Sequence, residues 1–600
     1  MVKHPPQTIA EAIIEYLIKN EVNTFFIVTG ENISPMVDYI EKRKEIKYYC
    51  FQHEQSAAMA AESYYRSSQG KVGAVLSMGG PGAQNLLNGI CGCYYESVPC
   101  VFITGQVDTY ESLDSVQTTP RQVGPQESPI SKSFKYFTKY STKLTTPRMV
   151  SEQLHLAFSA MLSNRKGPIL LEVPLNIQGS NKSKFMFKHP VISNSSKLEI
   201  SEELNFLRKH LKKSKRPLFL LGNGIKLSHS EDMALEMVNS IKIPFVTSWG
   251  GFDIISHDHP LFIGDIGVYG SRSGNFAIQN CDLLISIGSR LDTQQTGKDL
   301  SKFSRESYKV VVDIDPNELY KNRGLDIDMV IEGDAKLFMR QLTSVITPLD
   351  QISEWLNYVN KLKSSKESRP LNEKVLSPYE FLEELNLKLP DNSTVIPDEG
   401  NHLFWSMQSL KPNNTQKVYS NFGNASTGYA LPASIGASIV NSNPIICISG
   451  DGSFQANIQE LQTIKNYNLP IKIFIINNKG YGSIRQFQDS YFNSRYTATD
   501  GDDYSSPDFV KIAEAYGIKA LRATKKNYKK VINLAMQEKG CILVDVIIDK
   551  NQNVTPKLEP GYALEDMSPY LTAKQIHSNM IIDMIHRDVN HYQGWKKIEE

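Results

Sequence analysis

The chain has 600 residues, of which 40% are hydrophobic and 22% are charged. This length predicts about three or four folded domains, and the composition excludes global disorder. The formal net charge of +1 gives no support to a nucleic-acid or anionic-membrane partner.

The seven cysteines stand mostly in apolar segments, which is typical of buried free thiols in a reducing compartment. Residues 1–15 contain no apolar core of a secretion signal. No apolar stretch approaches the roughly 18 residues that cross a membrane. We therefore expect a cytoplasmic protein with neither a membrane nor a nucleic-acid partner.

The first region, residues 1–185, alternates short apolar strands with helical segments, which favours a parallel α/β sheet. One predicted helix runs from Glu54 to Tyr65 and another begins near Ala83. The predicted strands are Thr24–Val28, Tyr48–Phe51, Val72–Ser77, Val101–Thr104 and Ile169–Val173.

Two further α/β regions follow, at residues 200–350 and 375–555, each preceded by a polar linker (179–197 and 361–374). Residues 556–600 are predicted to form a C-terminal arm with an amphipathic helix near 572–585. The fold class is therefore α/β, with three consecutive parallel-sheet domains. The strands predicted in the later regions are Leu218–Leu221, Phe245–Val246, Leu283–Ile287, Val310–Ile314, Thr394–Pro397, Ile445–Ser449, Ile471–Ile476 and Ile542–Ile548.

Polar residues follow two of the buried strands in the third region. Gly450-Asp451-Gly452-Ser453 comes after one strand, and Asn478 follows the next strand 27 residues beyond Asp451. Parallel sheets bind ligands at the edge where such strands end. A carboxylate and an amide oxygen suit Mg²⁺ that shares its coordination shell with phosphate, and the glycines allow close approach of a diphosphate.

With other segments, this pair resembles the thiamine-diphosphate (ThDP) enzymes, and most closely the large subunit of acetohydroxyacid (acetolactate) synthase. The similarity covers roughly residues 8–555. The resemblance implies a pyrimidine-binding domain (1–185), a central FAD-binding-like domain (200–350) and a diphosphate-binding domain (375–555), with active sites between the subunits of a homodimer or homotetramer. The other segments that carry the similarity are Phe51-Gln52-His53-Glu54-Gln55, Gly79-Gly80-Pro81-Gly82-Ala83-Gln84-Asn85, Val98-Pro99 and Ile103-Thr104-Gly105-Gln106.

The resemblance implies two catalytic residues in the first domain. Glu54 would hydrogen-bond N1′ of the aminopyrimidine and thereby activate the thiazolium C2. Alone, Glu54 is also explained as an acidic residue in a first helical turn. Gln126 matches an amide near the substrate, although Pro125 stands where the synthases have Phe. Gly80, Pro81 and Asn85 belong to the turn that would form the wall around the pyrimidine.

The resemblance also implies the metal and diphosphate ligands. Asp451 and Asn478 would bind Mg²⁺ through their side chains, and Gly480 through its carbonyl. Thr427 stands where the synthases carry a Met that supports the bent cofactor. His402 is alternatively a surface-loop histidine. The implied diphosphate contacts are Gly400, Asn401, His402, Gly452 and Ser453.

The central region resembles the FAD-binding stretches of the synthases, in which an arginine pairs with diphosphate and a carboxylate holds a ribose hydroxyl. The alternative is a domain of the same ancestry that binds no flavin. The implied FAD residues are Gly222, Gly224, Gly288, Arg290, Asp292, Asp313, Asp315 and Asp334.

Three departures from the synthases concern the substrates. Gln294 replaces the Arg that binds the second keto acid, Phe487 replaces a Trp, and Leu175 replaces a Lys. We therefore expect an enzyme that decarboxylates pyruvate and transfers the two-carbon unit to a keto acceptor that is not a 2-keto acid, such as a nucleotide-linked keto sugar. The alternatives are acetolactate synthase, pyruvate oxidase or decarboxylase, and a cofactor-binding regulatory protein.

Overall fold

The computed structural model describes residues 7–182, 185–193, 200–321, 323–364, 374–440 and 442–585. Three α/β units follow one another, and each is built on a six-stranded parallel sheet. The predicted fold class is confirmed. Parts of both predicted linkers, and the end of the arm after residue 585, lie outside the described residues. No described helix combines the length and the apolar character that crossing a bilayer requires.

The first sheet has the strand order β2-β1-β3-β4-β6-β5. Its strands are β1 (Thr24–Val28), β2 (Lys47–Cys50), β3 (Ala74–Ser77), β4 (Val101–Gln106), β5 (Tyr140–Lys143) and β6 (Ile169–Pro174). The helices of this unit are α1 (Ile9–Lys19), α2 (Ser34–Glu41), α3 (Glu54–Ser67), α4 (Pro81–Asn85), α5 (Leu87–Tyr95), α6 (Ile130–Ser133), α7 (Val150–Leu162) and α8 (Leu175–Gln178).

The second sheet has the order β12-β11-β10-β7-β8-β9. Its strands are β7 (Pro217–Leu221), β8 (Phe245–Thr247), β9 (Phe262–Asp265), β10 (Leu283–Ile287), β11 (Tyr308–Asp313) and β12 (Met329–Glu332). The helices are α9 (Ser201–Lys213), α10 (Gly224–Leu227), α11 (Glu231–Ile241), α12 (Arg272–Asn280), α13 (Thr293–Thr296), α14 (Pro316–Leu319), α15 (Ala335–Val345) and α16 (Ser353–Ser364).

The third sheet has the order β14-β13-β15-β16-β18-β17. Its strands are β13 (Thr394–Pro397), β14 (Lys417–Val418), β15 (Ile445–Gly450), β16 (Ile471–Asn477), β17 (Lys519–Ala523) and β18 (Ile542–Ile547). The helices are α17 (Pro378–Asn386), α18 (Asn401–Ser409), α19 (Ala430–Ser438), α20 (Asp451–Gln455), α21 (Leu461–Tyr467), α22 (Gly482–Tyr491), α23 (Phe509–Ala515) and α24 (Tyr528–Gln537), with α25 (Ala573–Ser578) in the arm.

Five strands were not predicted: β5, β9, β12, β14 and β17. All five lie at an edge of their sheet. An edge strand has a neighbour on one side only and is covered less completely than an interior strand. The sequences of β5 (Tyr-Ser-Thr-Lys) and β17 (Lys-Ala-Leu-Arg-Ala) therefore carry no continuous apolar run.

Helix α3 of the first unit packs against helix α19 of the third. A Cβ added at Gly436 would lie 2.0 Å from the carbonyl oxygen of Ala60, so this glycine permits the close approach of the two helices. The arm covers the central unit, where Leu558, Leu564 and Met567 are part of the core. Helix α25 is shorter than the helix predicted at residues 572–585. Ile581 lies beyond the end of α25, and its N–H donates to Oδ1 of Asn280 instead of to a helix carbonyl.

Candidate active site

Strands β15 and β16 bring the predicted metal ligands together. The strands pair in parallel with Gly450 opposite Ile476, so the residues that follow them emerge at one edge of the sheet. The side-chain amide of Asn478 lies between Oδ1 of Asp451, 3.0 Å away, and the carbonyl oxygen of Gly480, 2.7 Å away. Without a cation the amide NH₂ group donates to both oxygens, and rotation of the amide would turn its oxygen toward a bound cation. Asp451, Asn478 and Gly480 therefore bring three possible oxygen ligands to this edge.

This convergence fits a bound divalent cation. Octahedral Mg²⁺ binds oxygen at about 2.1 Å, which places neighbouring ligands about 3 Å apart. Burial raises the pKa of Asp451 to about 6, and a bound cation would favour the charged carboxylate instead. The described residues contain no cluster of three or more His, Cys, Asp and Glu that could hold a metal. The mixed set of Asp451, Asn478 and Gly480 is therefore the candidate metal site.

Two tyrosines cover the metal edge. The hydroxyl of Tyr504 donates to Oδ2 of Asp451 over 2.8 Å. The ring of Tyr481 lies so close to Gly452 that a Cβ there would be 2.5 Å from a ring carbon. Glycine is thus the one residue type that fits at position 452 beneath the Tyr481 ring. Tyr504 orients the Asp451 carboxylate. Neither tyrosine was predicted from the sequence. Tyr504 lies in the loop after α22, and the N–H of Tyr481 donates to the carbonyl of Thr499 in the same loop over 3.1 Å.

The start of helix α18 carries two buried polar side chains beside the metal edge. Gly400 has φ of +136°, which favours glycine. The imidazole of His402 adjoins Gly450, and the amide of Asn401 adjoins Gly482. Both amide atoms of Asn401, and Nε2 of His402, are buried without a hydrogen-bond partner among the described residues.

These unpaired atoms fit an anionic group of the cofactor. Burial lowers the pKa of His402 to about 3, so its imidazole is neutral. A neutral imidazole and an amide can each donate one hydrogen bond to a diphosphate oxygen. Because buried polar groups are nearly always hydrogen-bonded, their lack of protein partners supports a ligand at this position. The alternative that His402 is a surface-loop histidine is excluded, since the residue is buried.

The structure assigns Ser453 a contact that the sequence did not predict. Its hydroxyl donates to the carbonyl oxygen of Glu399 over 2.8 Å. The hydroxyl proton is therefore committed to the protein, and the backbone N–H remains as the donor for phosphate. Thr427 is exposed in the loop before α19, and the carbonyl of the adjacent Gly428 accepts from Asn457 over 2.7 Å.

Glu54 lies in the first turn of α3 and is largely buried. Its Oε2 accepts a 3.0 Å hydrogen bond from Nδ2 of Asn85. A Cβ at Gly82 would lie 2.9 Å from its Oε1. Pro81 begins helix α4 between these contacts, so the turn at residues 79–85 lies against the carboxylate. Its role as the wall around the pyrimidine stays a prediction.

Gln126 lies on the other side of the same turn. Gly80 has φ of +61°, and a Cβ there would be 2.3 Å from the carbonyl oxygen of Gln126. Gln126 itself has φ of +65° and is exposed in the single chain. Its side chain is therefore free to meet a substrate or a second copy of the chain.

The third unit holds the start of α3 through residues that the sequence did not single out. Oδ1 of Asn457 accepts from Nε2 of Gln55 over 3.3 Å and from Oγ of Ser56 over 3.1 Å. Oε2 of Glu460 accepts from the N–H of Gln52 over 3.4 Å. The segment that carries Glu54 is thereby fixed to the unit that carries the metal ligands.

The central unit opens onto a cavity of about 490 Å³. The backbones of β7 and β10 meet here, with the N–H of Gly224 bonded to the carbonyl of Gly288 over 2.9 Å. A Cβ at Gly224 would lie 2.7 Å from the Cα of Gly288, so both positions require glycine. Six of the predicted FAD residues line the cavity: Gly224, Gly288, Arg290, Asp292, Asp313 and Asp334.

The other two predicted FAD residues, Gly222 and Asp315, lie outside the cavity wall. Gly222 is used in strand pairing, where its N–H bonds the carbonyl of Ile287 over 2.9 Å. Asp315 caps helix α14 and pairs with Arg165 over 3.1 Å. Within the cavity, burial raises the pKa of Asp313 to about 6.

The far end of the cavity reaches the third unit. Trp249, Phe404 and Phe422 form an aromatic wall there. Glu399 of the third unit and Gln294 of the central unit also line the cavity. Glu399 precedes the Gly400-Asn401-His402 segment and was given no role from the sequence. The cavity therefore extends from the predicted flavin edge to the predicted ThDP edge.

Three family models match the chain in succession. Residues 7–128 match the thiamine pyrophosphate enzyme N-terminal TPP binding domain. Residues 204–342 match the thiamine pyrophosphate enzyme central domain, and residues 398–546 match the C-terminal TPP binding domain.

Curated relatives share this chain's length. Acetolactate synthase large subunit from Cyanidium caldarium is 35% identical over 94% of this chain and 96% of its own length. Acetolactate synthase isozyme 2 large subunit from Escherichia coli is 31% identical over 93% and 98%. A probable acetolactate synthase large subunit from Methanocaldococcus jannaschii is 31% identical over 93% and 94%.

Proposed function

Since the chain belongs to the thiamine pyrophosphate enzyme family and is similar to acetolactate synthase large subunits, we propose that it joins two 2-keto acids, with pyruvate as the two-carbon donor. The similarity does not support the nucleotide-linked keto sugar that we predicted as acceptor, and it favours the alternative, acetolactate formation. The observation that carries the proposal is the convergence of possible oxygen ligands from Asp451, Asn478 and Gly480 beside the unpaired Asn401 and His402.

We assign the cofactor contacts as follows. Asp451, Asn478 and Gly480 would hold Mg²⁺, while Asn401, His402 and the backbone at 452–453 would bind the diphosphate. When bound, ThDP supplies the electron sink that allows pyruvate to lose carbon dioxide. Gly400, with its positive φ, leaves the space that this close contact needs.

Glu54 would exchange a proton with N1′ of the aminopyrimidine. Its buried position excludes competing water, and the hydrogen bond from Asn85 fixes one carboxylate oxygen. The turn at residues 79–82 and Gln126 would border the pyrimidine and the substrate. We further propose a homodimer or homotetramer in which Glu54 of one subunit completes the site on another, as the resemblance implies.

We also propose that the part of the cavity lined by the central unit binds FAD. The volume of the cavity is in the range of a cofactor site. Arg290 offers a cation for a diphosphate, and Asp313 or Asp334 offers a carboxylate for a ribose hydroxyl. In the synthases that the chain resembles, flavin has no redox task in the main reaction, so this assignment does not change the proposed activity.

One observation favours a neutral acceptor as a second candidate. Gln294 lines the cavity and is exposed, at the position where the synthases carry an arginine. Without that cation, an anionic acceptor would lose a charge-assisted hydrogen bond of about 1.5–3 kcal/mol.

The experiment that tests the proposal supplies pyruvate as the only substrate to protein reconstituted with ThDP and Mg²⁺. We expect acetolactate as the main product. Free acetaldehyde as the main product would instead identify a decarboxylase, and flavin reduction by pyruvate would identify an oxidase. Product that forms only when a keto sugar is added would establish the second candidate.

A further inference from the structure

Glu399 stands between the two predicted cofactor edges, and its backbone is held from both sides. Its N–H donates to Oδ1 of Asp398 over 2.9 Å. Its carbonyl accepts from the Ser453 hydroxyl over 2.8 Å. The main chain at residue 399 is thus fixed to the start of α20, next to the metal edge.

The side chain of Asp398 holds the main chain at residue 399 in one position. Its carboxylate is fully buried and accepts from the N–H groups of Gly428, Tyr429 and Ala430 at 2.9, 3.1 and 3.3 Å. It also accepts from the hydroxyl of Ser449 over 2.9 Å. Four polar partners besides Glu399 therefore hold Asp398, and the position of its neighbour follows from them.

The Glu399 carboxyl has no such partner. Glu399 is part of the cavity wall, beside Phe404 and Phe422. Within the described part of the chain, no residue donates a hydrogen bond to this carboxyl. Glu399 is half-buried and lines the cavity. With no donor among the described residues, its carboxyl is open to hydrogen-bond a group that enters the cavity.

The surroundings favour a carboxyl that exchanges protons. Burial, with a smaller contribution from Asp398, raises the pKa of Glu399 to about 7. His402, on helix α18, is neutral and therefore does not lower the pKa of Glu399. Nη2 of Arg290, the cation of the predicted flavin edge, lies 3.5 Å from Oδ2 of Asp292 and is paired with that carboxylate. A carboxyl with these neighbours is present in both protonation states near neutral pH.

We propose that Glu399 is a catalytic acid that gives its proton to the carbonyl oxygen of the acceptor during carboligation. This inference rests on the proposed function. Joining two pyruvate anions releases one carbon dioxide and takes up one proton. The new bond forms between the two-carbon unit and the acceptor carbonyl carbon, and the carbonyl oxygen becomes a hydroxyl. Glu399 supplies that proton and is reprotonated from water.

The position of Glu399 agrees with this role. The acceptor must reach the thiazolium C2 of ThDP, which would lie between the diphosphate, bound beside Gly400, and the aminopyrimidine, bound beside Glu54. Glu399 directly precedes Gly400 in the chain. Gln294 lines the same cavity. An acceptor that enters this cavity beside Glu399 would receive the proton of its carboxyl.

The test compares wild-type holoenzyme with Glu399→Gln and Glu399→Asp. Glutamine keeps the size of the side chain and lacks the acidic proton, so we expect acetolactate turnover to fall about 10²–10⁴-fold. ThDP and Mg²⁺ affinities should stay unchanged, and single-turnover release of carbon dioxide from carboxyl-labelled pyruvate should persist. Glu399→Asp should retain part of the turnover, with a shifted pH profile.

Wild-type turnover in Glu399→Gln, with an unchanged pH profile, would overturn the inference. Loss of carbon dioxide release together with ligation would also overturn it, because the residue would then act before the acceptor. If Glu399→Gln did not fold, failure of a folded Glu399→Asp to shift the pH profile would count against the role. Absence of carbon dioxide release in the wild type would refute the proposed function instead. Glu514→Gln, an exposed glutamate of α23, is the matched control and should behave as wild type.

Discussion

The Tyr504 hydroxyl donates a 2.8 Å hydrogen bond to Oδ2 of Asp451, although 53 residues separate the two in the chain. This contact leaves Oδ1 of Asp451 to face Asn478 and Gly480. Residues that orient metal ligands from behind usually contribute about 10–100-fold to metal affinity. We predict that Tyr504→Phe weakens Mg²⁺ binding by about that factor, as measured by Mg²⁺ titration of ThDP retention.

Tyr516→Phe is the control for the loss of a tyrosine hydroxyl. Tyr516 is half-buried at the end of α23. Its substitution should leave the Mg²⁺ titration unchanged. Equal Mg²⁺ affinity in Tyr504→Phe and the wild type would show that the hydroxyl does not orient Asp451.

The raised pKa of Asp451 predicts a pH dependence of metal binding. The metal-free carboxyl has a pKa of about 6, and Mg²⁺ binds only its charged form. Affinity should therefore be constant well above this pH and fall about tenfold for each pH unit below it. Mg²⁺ dissociation constants measured across this range check the prediction. A constant affinity down to the pKa of an ordinary aspartate would contradict it.

Glu54→Gln should abolish most turnover while the protein still binds ThDP. The amide preserves the shape of the side chain and its contact with Asn85, but it cannot exchange the proton at N1′. A loss of at least about 10²-fold in kcat is expected. Asn85→Leu should give a smaller loss, because it removes only the hydrogen bond that orients Glu54. Near-normal kcat in Glu54→Gln would refute the catalytic assignment.

Gln294→Arg should improve the use of an anionic acceptor. A new charge-assisted hydrogen bond of about 1.5–3 kcal/mol corresponds to roughly 10–100-fold in KM for the acceptor 2-keto acid. Gln294→Leu, which adds no charge, should not improve KM. Competition between acceptors measures the effect, and an unchanged KM in the arginine variant would place the acceptor elsewhere in the cavity.

The sequence sufficed for the interior of each sheet and for placing Asp451 and Asn478 at one sheet edge. Interior strands such as β15 and β16 are buried on both faces, so their apolar runs are continuous. The edge strands β5 and β17 lack this signal because they are only partly covered. Tyr504 and Glu399 were not assigned roles, since a loop after α22 and a cavity between two units determine their contacts. Asp315 matched a predicted pattern, but it caps helix α14, and its pairing with Arg165, 150 residues away in the chain, depends on tertiary packing.

The central claim is that a Mg²⁺-anchored ThDP site joins two 2-keto acids. The most direct measurement is the ratio of carbon dioxide to acetolactate formed from carboxyl-labelled pyruvate, with and without ThDP and Mg²⁺. We predict equimolar products that require both cofactors and are lost in Asp451→Ala. Carbon dioxide released without acetolactate, or acetolactate formed without either cofactor, would contradict the account.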